Sequence, residues 1–276
     1  MSLFFELAEC VWPSRCLLCP SPCVRGPCCA EHALPRELPG PRCPRCAAKL
    51  PDALPDGTDC AACRRAPPAF HRALTCWDYW AQPPAREHIL AAKHRHRRDL
   101  VCYLGACLGA RLKERGGERP VLVPVPSHPA RRLERGRDLA ALLAGAVAEE
   151  AGGVLVRGLC RARPTRSQGD PLVVDRRRNV RGAIALSRRG RGLSLAGRDV
   201  WVVDDVLTSG ATASECARAL HRIGARRVGV CVLARATPGD DQTSRTGPTR
   251  ARSGKSPSDQ SSAEGSVEED GPTSCA

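Results

Sequence analysis

In the stretch Val202-Val203-Asp204-Asp205-Val206-Leu207-Thr208-Ser209-Gly210-Ala211-Thr212, an apolar run meets two adjacent carboxylates and then a hydroxyl-rich turn with one glycine. Those residue types in that order suit a phosphorylated sugar. Backbone N–H groups of residues 208–212, with the hydroxyls of Thr208, Ser209 and Thr212, can cradle a phosphate at the positive end of a following helix. Thr212 with Glu215 three residues later reads as a capping box, which predicts a helix beginning there and facing inward through Cys216, Leu220 and Ile223. Asp204 and Asp205 then fall at the carboxyl end of a strand, the edge where parallel α/β sheets bind ligands. There they can accept hydrogen bonds from vicinal ribose hydroxyls. A Walker A nucleotide loop is excluded, because no Gly-Lys-Ser/Thr follows the glycine.

A second chemistry lies in thiols. Of 17 cysteines, ten fall in the first 63 residues, and three pairs have Cys-x-x-Cys spacing: Cys16/Cys19, Cys43/Cys46 and Cys60/Cys63. A two-residue gap lets two thiolates reach one Zn²⁺ from a tight turn, and two such pairs close a tetrahedral site. These six cysteines are the expected ligands of structural zinc. Three pairs leave one over, and Cys23, Cys28 and Cys29 lie near enough to supply further ligands. The spacing does not fix the pairing. A redox-active pair would follow a strand and open a helix, a context that none of the three has. Metal affinity would supply folding energy that this segment's few apolar side chains cannot.

A sheet must position the carboxylates. The periodicity predicts a helix over residues 105–112 facing inward through Leu104, Leu108 and Leu112, and a second over 138–150 with Leu139, Leu142, Leu143 and Val147 inside. Short strands are expected at 121–125, 200–203 and 228–233, with a helix over 213–223 between the last two. Strand, helix and strand in that order predict an α/β fold, a mostly parallel sheet with flanking helices. The chain divides into a cysteine-rich zinc-binding module (1–70), the α/β domain (71–236) and a tail (237–276). A basic, Pro-containing connection at 157–182 interrupts the domain. The tail is Ser, Thr, Gly, Pro and acid, cannot repay the entropy of ordering, and is expected to be disordered.

Aromatic residues make up 3% of the chain, so the core must be built from Leu, Val and Ala. Formal net charge is +14; the tail holds seven acidic and four basic side chains, so the preceding residues carry +17. Such a charge favours phosphorylated or polyanionic partners without naming one. No apolar run is long enough to span a membrane, and the N-terminus lacks the pattern of a signal peptide, so a cytoplasmic protein is expected.

The stretch 202–212 resembles, over its whole length, the phosphoribosyl diphosphate motif of the type I phosphoribosyltransferases. More of one family surrounds it. Cys-x-x-Cys pairs precede the domain, and Lys93 follows Trp77-Asp78-Tyr79. Val123-Pro124-Val125-Pro126 is followed by Arg131-Arg132 and Arg135-Gly136, then by Thr165-x-x-Gln168, Leu172 and Arg176-x-x-Asn179-Val180-x-Gly182. Together these are similar to the ComF family, phosphoribosyltransferase-like proteins linked to DNA uptake in competent bacteria, over about residues 10–236. The resemblance implies a type I phosphoribosyltransferase fold that binds phosphoribosyl diphosphate with Mg²⁺. Asp204 and Asp205 would hold the 2′- and 3′-hydroxyls as the catalytic pair, and Thr208, Ser209, Gly210, Ala211 and Thr212 the 5′-phosphate. Backbone N–H groups of residues 124–127 and the charges of Arg131, Arg132 and Arg135 would meet the diphosphate. Arg163, Arg166 and Arg176 lie in the long connection, which could close over the site.

Two features depart from the family. Arg135-Gly136-Arg137-Asp138-Leu139 stands where Arg-Gly-Phe-Asn-Gln is common, and one cysteine pair is reduced to Cys28-Cys29 followed by Ala30-Glu31. A second reading is a non-catalytic single-stranded nucleic-acid-binding protein that keeps the fold. Lys93-His94-Arg95-His96-Arg97-Arg98 would track the backbone, with Trp77, Tyr79 and Trp80 as stacking residues. Single-stranded DNA and DNA-uptake or recombination proteins are then the expected partners.

Overall fold

Val200 and Val202 face one side of a strand while Trp201 and Val203 face the other, and all four are buried, so the sheet that holds them is covered on both faces. The computed structural model describes residues 15–23, 26–35, 38–55, 57–94, 97–115, 119–127, 138–163 and 176–237, with backbone alone at His94, Arg176 and Arg177. The tail beyond residue 237 lies outside these residues. Five strands form a fully parallel sheet: β1 (Arg72–Asp78), β2 (Val121–Pro124), β3 (Val154–Leu155), β6 (Asp199–Leu207) and β7 (Arg227–Arg235), in the order β1-β7-β6-β2-β3. Strands β4 (Leu159–Arg161) and β5 (Ile184–Leu186) pair as a separate antiparallel ribbon.

Among the described residues the helices are α1 (Ala61–Arg65), α2 (Pro83–His94), α3 (Arg98–Arg115), α4 (Leu139–Ala151), α5 (Arg176–Val180), α6 (Arg188–Arg191) and α7 (Ala211–His221). On one face of the sheet, Leu100, Leu104, Leu108 and Leu112 of α3 and Leu143 and Val147 of α4 pack on Leu122, Trp201 and Val203. On the other, Ala213, Cys216, Ala217 and Leu220 of α7 cover Val121, Val123, Val200, Val202, Val228 and Val230. Asp138 caps α4 by accepting the Ala141 N–H, and Gly152 ends it in the left-handed region at φ 63°.

Three expectations change. Strand β6 runs four residues past Val203, because its pairing with β7 continues to Leu207 opposite Arg235. Helix α7 starts at Ala211 rather than Thr212, and no capping box forms. Gly210, at φ 72°, reverses the chain and is itself the N-cap. The Glu215 carboxylate instead accepts the Gly182 N–H at 2.7 Å and pairs with Arg218. Strand β1, absent from the sequence-based set, forms the sheet edge beside β7, where Thr75 and Asp78 are buried.

Helices α3 and α4 approach closely through glycine. A Cβ on Gly105 would lie 2.4 Å from the Ala146 Cβ, whereas one on Gly145 would meet nothing within 4 Å. Replacing Gly105 with Ala sets a propensity gain of roughly 1 kcal/mol against overlap with a side chain fixed to the facing backbone. The net expectation is a loss of about 1–3 kcal/mol. Gly145→Ala should raise stability by up to about 1 kcal/mol. Urea midpoints of the two variants, moving in opposite directions from wild type, check this packing.

Candidate sugar-phosphate site and metal clusters

Strand β2 ends at Pro124, opposite Val203, so Asp204 and Asp205 lie where β6 keeps β7 on one side and has run past the end of β2 on the other, the edge where parallel sheets bind ligands. The Asp204 Oδ1 accepts the Asp205 N–H at 2.9 Å. Beyond them the turn is held from beneath by the buried Arg235 at the end of β7. Its guanidinium donates to the carbonyls of Leu207 and Ala236, each at 2.7 Å, and to that of Thr208. In a planar trans peptide the N–H points opposite the carbonyl. With the Leu207 and Thr208 carbonyls turned to Arg235, the N–H groups of Thr208 and Ser209 face the other way, as an anion cradle requires. Phe70 packs under Gly210, 3.4 Å from where a Cβ would stand. The structure thus brings Asp204, Asp205, Thr208, Ser209, Gly210, Ala211 and Thr212 together at the head of α7.

Two cations reach the carboxylates. Lys93, from α2, is 2.9 Å from Asp205 Oδ2. Burial alone would lower the pKa of its ammonium, but Asp205 and then Asp204 outweigh burial and push it up. Burial and then the charge of Asp205 raise the Asp204 carboxyl to about 7, against the opposing pull of Lys93 and Arg161. Arg161, on β4, also donates its Nε to the Pro126 carbonyl at 3.3 Å, which places it between the acid pair and the segment after β2.

Sequence reasoning placed Lys93 in the basic run rather than on the acid pair and missed Arg161 and Arg235, because single arginines carry no signal in so Arg-rich a chain. Of the expected basic groups, Arg131, Arg132, Arg135 and Arg166 lie outside the described residues, as does the side chain of Arg176. Arg163 donates to the carbonyls of Asn179 and Arg181, bracing the connection to β5. In residues 124–127 the Val125 N–H is committed to the Val203 carbonyl at 2.9 Å, and the two prolines have none. That segment therefore offers a diphosphate fewer donors than expected.

The thiols gather into two groups, Cys43, Cys46, Cys60 and Cys63, and Cys16, Cys19, Cys29 and His32, each with its ligand atoms within 4.8 Å of one another. Tetrahedral ligation by sulfur at about 2.3 Å sets neighbouring sulfurs about 3.8 Å apart; Cys46–Cys60 and Cys19–Cys29 are at 3.6 and 3.7 Å. Backbone N–H groups donate to Cys16, Cys43 and Cys60 sulfurs at 3.3–3.4 Å, favouring thiolates. Burial opposes ionisation of Cys16, yet the N–H groups of Cys29, Leu18 and Cys19 prevail and bring it down to about 6. Both groups could hold a metal ion. The first holds two of the expected pairs; the second completes its set with Cys29 and His32. His32 was missed, although its spacing from Cys29 repeats Cys-x-x-Cys with imidazole in place of a thiol. Cys28 is not a member; its thiol lies 3.1 Å from Nε2 of the buried His88, whose Nδ1 donates to the Pro84 carbonyl at 2.7 Å.

The basic run is less free than its sequence suggested. Lys93 faces Asp205 and Arg97 forks onto Asp99, while Arg95, His96 and the side chain of His94 lie outside the described residues. Trp77 is buried and donates its indole N–H to the Pro35 carbonyl at 3.0 Å, which removes it from the stacking set.

The fold and the loop define a protein built on a phosphoribosyltransferase domain: the family model described as "Phosphoribosyl transferase domain" matches residues 141–268. The DNA utilization protein YhgH of Salmonella typhimurium is 30% identical over 240 residues, covering 81% of this chain and 97% of that protein. YhgH of Escherichia coli K12 is 29% identical over 244 residues with the same coverage. The chain belongs to their family, the ComF family. Glutamine phosphoribosylpyrophosphate amidotransferase from B. subtilis is 22% identical, over 52% of this chain and 30% of that one, with a TM-score of 0.35. Among the described residues no helix is long and apolar enough to cross a membrane.

If both clusters are ligand sets, protein purified under reducing conditions should carry two metal ions per chain. Elemental analysis should show one equivalent lost in His32→Ala and in Cys43→Ser, and none lost in Cys28→Ser, which lies outside either set.

Proposed function

We propose that the crevice above β6 binds phosphoribosyl diphosphate with Mg²⁺ and transfers its phosphoribosyl group to an acceptor, in a cytoplasmic protein that serves DNA uptake or processing. One observation carries the reading: two carboxylates at the open end of a parallel strand stand directly before a turn whose carbonyls are clamped by Arg235. Asp204 and Asp205 accept the ribose hydroxyls, and the turn N–H groups with the head of α7 take the 5′-phosphate. Lys93 holds the Asp205 carboxylate in place, and Arg161 stands where charge builds on the departing diphosphate. Arg131 and Arg135 are proposed to add to that charge.

The carboxylate oxygens of the pair suit a hard cation such as Mg²⁺, which when bound would offset charge on the diphosphate. The two metal clusters, thiolate-rich and without an open position, suit structural Zn²⁺. We divide the chain into this module over 1–70 and the phosphoribosyltransferase domain over 71–236. The DNA link draws on the YhgH relatives, which are DNA utilization proteins. It also supports a second reading, in which the protein binds nucleic acid on the same fold without turnover.

Calorimetric titration with phosphoribosyl diphosphate and Mg²⁺ tests the site. Hydrogen bonds to ionised carboxylates are worth roughly 1.5–3 kcal/mol each, so the double change Asp204→Asn, Asp205→Asn should weaken binding at least about tenfold. Gly210→Val should do the same through its positive φ, and Thr208→Ala should cost less, since most donors in the turn are backbone. Affinity should rise with pH. With a carboxyl near 7, Asp204 is about one-tenth ionised at pH 6 and about nine-tenths at pH 8, and the double Asn variant should flatten that rise. Wild-type affinity matched by the double Asn and Gly210→Val proteins would place the ligand elsewhere. Diphosphate release with an added acceptor separates transfer from binding alone.

A further inference from the structure

The loop after β1 carries Tyr79 and Trp80, whose rings meet edge to face at 89° with centroids 5.0 Å apart. Arg86, in the first turn of α2, lays its guanidinium over both, 4.8 Å from the Trp80 centroid and 5.7 Å from that of Tyr79. In a chain with nine Phe, Trp and Tyr residues, these two adjacent rings are left only partly buried, Tyr79 resting against the core cluster. The backbone that presents them is held at every peptide. Asp78, 2% exposed, accepts the N–H groups of Trp80 and Ala81 at 3.3 Å, and its own N–H reaches the Gln82 side chain at 2.8 Å. Its second carboxylate oxygen is fixed by Arg42 of the cysteine-rich module at 3.0 Å. The Tyr79 N–H donates to the carbonyl of Arg235, the residue that clamps the phosphate turn.

The platform and the crevice share one edge of the sheet. Strands β1 and β6 flank β7, which sets them two strand spacings, about 10 Å, apart. Lys93 bridges the interval: its ammonium lies on Asp205 and is close enough to Tyr79 to sense the phenol. An aromatic pair topped by a guanidinium attracts flat π systems by stacking and by cation–π contact, whichever base is offered. Set beside carboxylates that suit the ribose of phosphoribosyl diphosphate, it offers a planar base a place next to the sugar it would join.

We propose that Tyr79, Trp80 and Arg86 form the acceptor-side subsite of this crevice and that it takes an unpaired nucleobase. The inference rests on the sugar-phosphate reading above and names the class of acceptor. The base could arrive free, as a mononucleotide, or as one unit of single-stranded DNA.

The test uses the full-length, metal-loaded protein and follows tryptophan fluorescence. The probes are adenine, thymidine monophosphate, an oligothymidylate of about ten nucleotides and a duplex of the same length. Wild type should be quenched by single-stranded or free bases and not by the duplex. Trp80→Ala should lose that quench and bind about tenfold more weakly by calorimetry, the effect of one lost stacking contact. Trp80→Phe should stay within about threefold of wild type, because a ring remains to stack on. Arg86→Ala, which leaves both rings in place, should weaken the same probes by a smaller factor. Phosphoribosyl diphosphate affinity should be unchanged in all three.

Comparable saturation by mononucleotide and oligonucleotide identifies a small-molecule acceptor, and saturation by the oligonucleotide alone identifies single-stranded DNA; either result supports the subsite. Folded Trp80→Ala and Arg86→Ala proteins that bind every probe as wild type does would overturn it. So would wild type that binds phosphoribosyl diphosphate but no base. Wild type that binds bases at this platform but no phosphoribosyl diphosphate would instead overturn the sugar-phosphate reading and leave the platform standing.

Discussion

A single buried guanidinium holds this site together. Arg235 ends β7, binds the carbonyls of Leu207, Thr208 and Ala236, and offers its own carbonyl to the Tyr79 N–H. It is also near enough to the Cys43–Cys63 cluster to favour the Cys46 thiolate, against the burial that pushes that thiol up to about 11. The end of the central strand and the phosphate turn therefore meet at its side chain, the aromatic loop at its main chain, and one metal cluster lies within reach of its charge. A buried arginine is tolerable only when its donors are satisfied by well-placed acceptors. The three carbonyls take up its Nη1, which fixes the turn before any ligand arrives, while its buried Nε meets no protein acceptor among the described residues.

The cysteine-rich module is joined to the site by many hands. Arg42 secures Asp78, the Pro35 carbonyl receives the Trp77 indole, Cys28 meets His88 on α2, and the Ala69 N–H reaches Ser214 on α7. Five residues beyond His88 on α2, Lys93 lies on Asp205. The module has a small apolar cluster, Cys43, Cys46, Ala48, Leu50 and Cys63, in which three of the five members are thiols. Burial of so little surface cannot hold a segment of this length. Its rigidity, and with it the placement of α2, would come from metal–sulfur bonds.

Much of this was legible in the sequence because the signals were local. The acid pair and its turn occupy eleven consecutive residues, and the buried strands announce themselves by runs of valine. Two of the three cysteine pairs assemble as their spacing suggested, while Cys29 and His32 required noticing that imidazole can stand in for a thiol. Arg161 and Arg235 could not be singled out, since their roles arise from where β4 and β7 end. Strand β1 stayed hidden because Arg72, Thr75 and Asp78 dilute its apolar pattern, and its partner lies some 150 residues away. The capping box failed for a related reason: Glu215 found the Gly182 N–H across the fold, a competitor invisible to local reading.

The position of β7 between β1 and β6 also governs how the chain can be assembled as it is made. Among the described strands, β1 is the first to leave the ribosome, yet its neighbour β7 is the last. At about 5–20 residues per second, the interval between them lasts roughly ten to thirty seconds. Until then the edge of β1, and the central strand β6, lack the partner that unites them. The cysteine clusters close over short sequence distances and need no such wait. They can hold the early end of the chain in place while the nascent sheet stays open, so the last of the described strands to be synthesised is also the one that completes the parallel sheet.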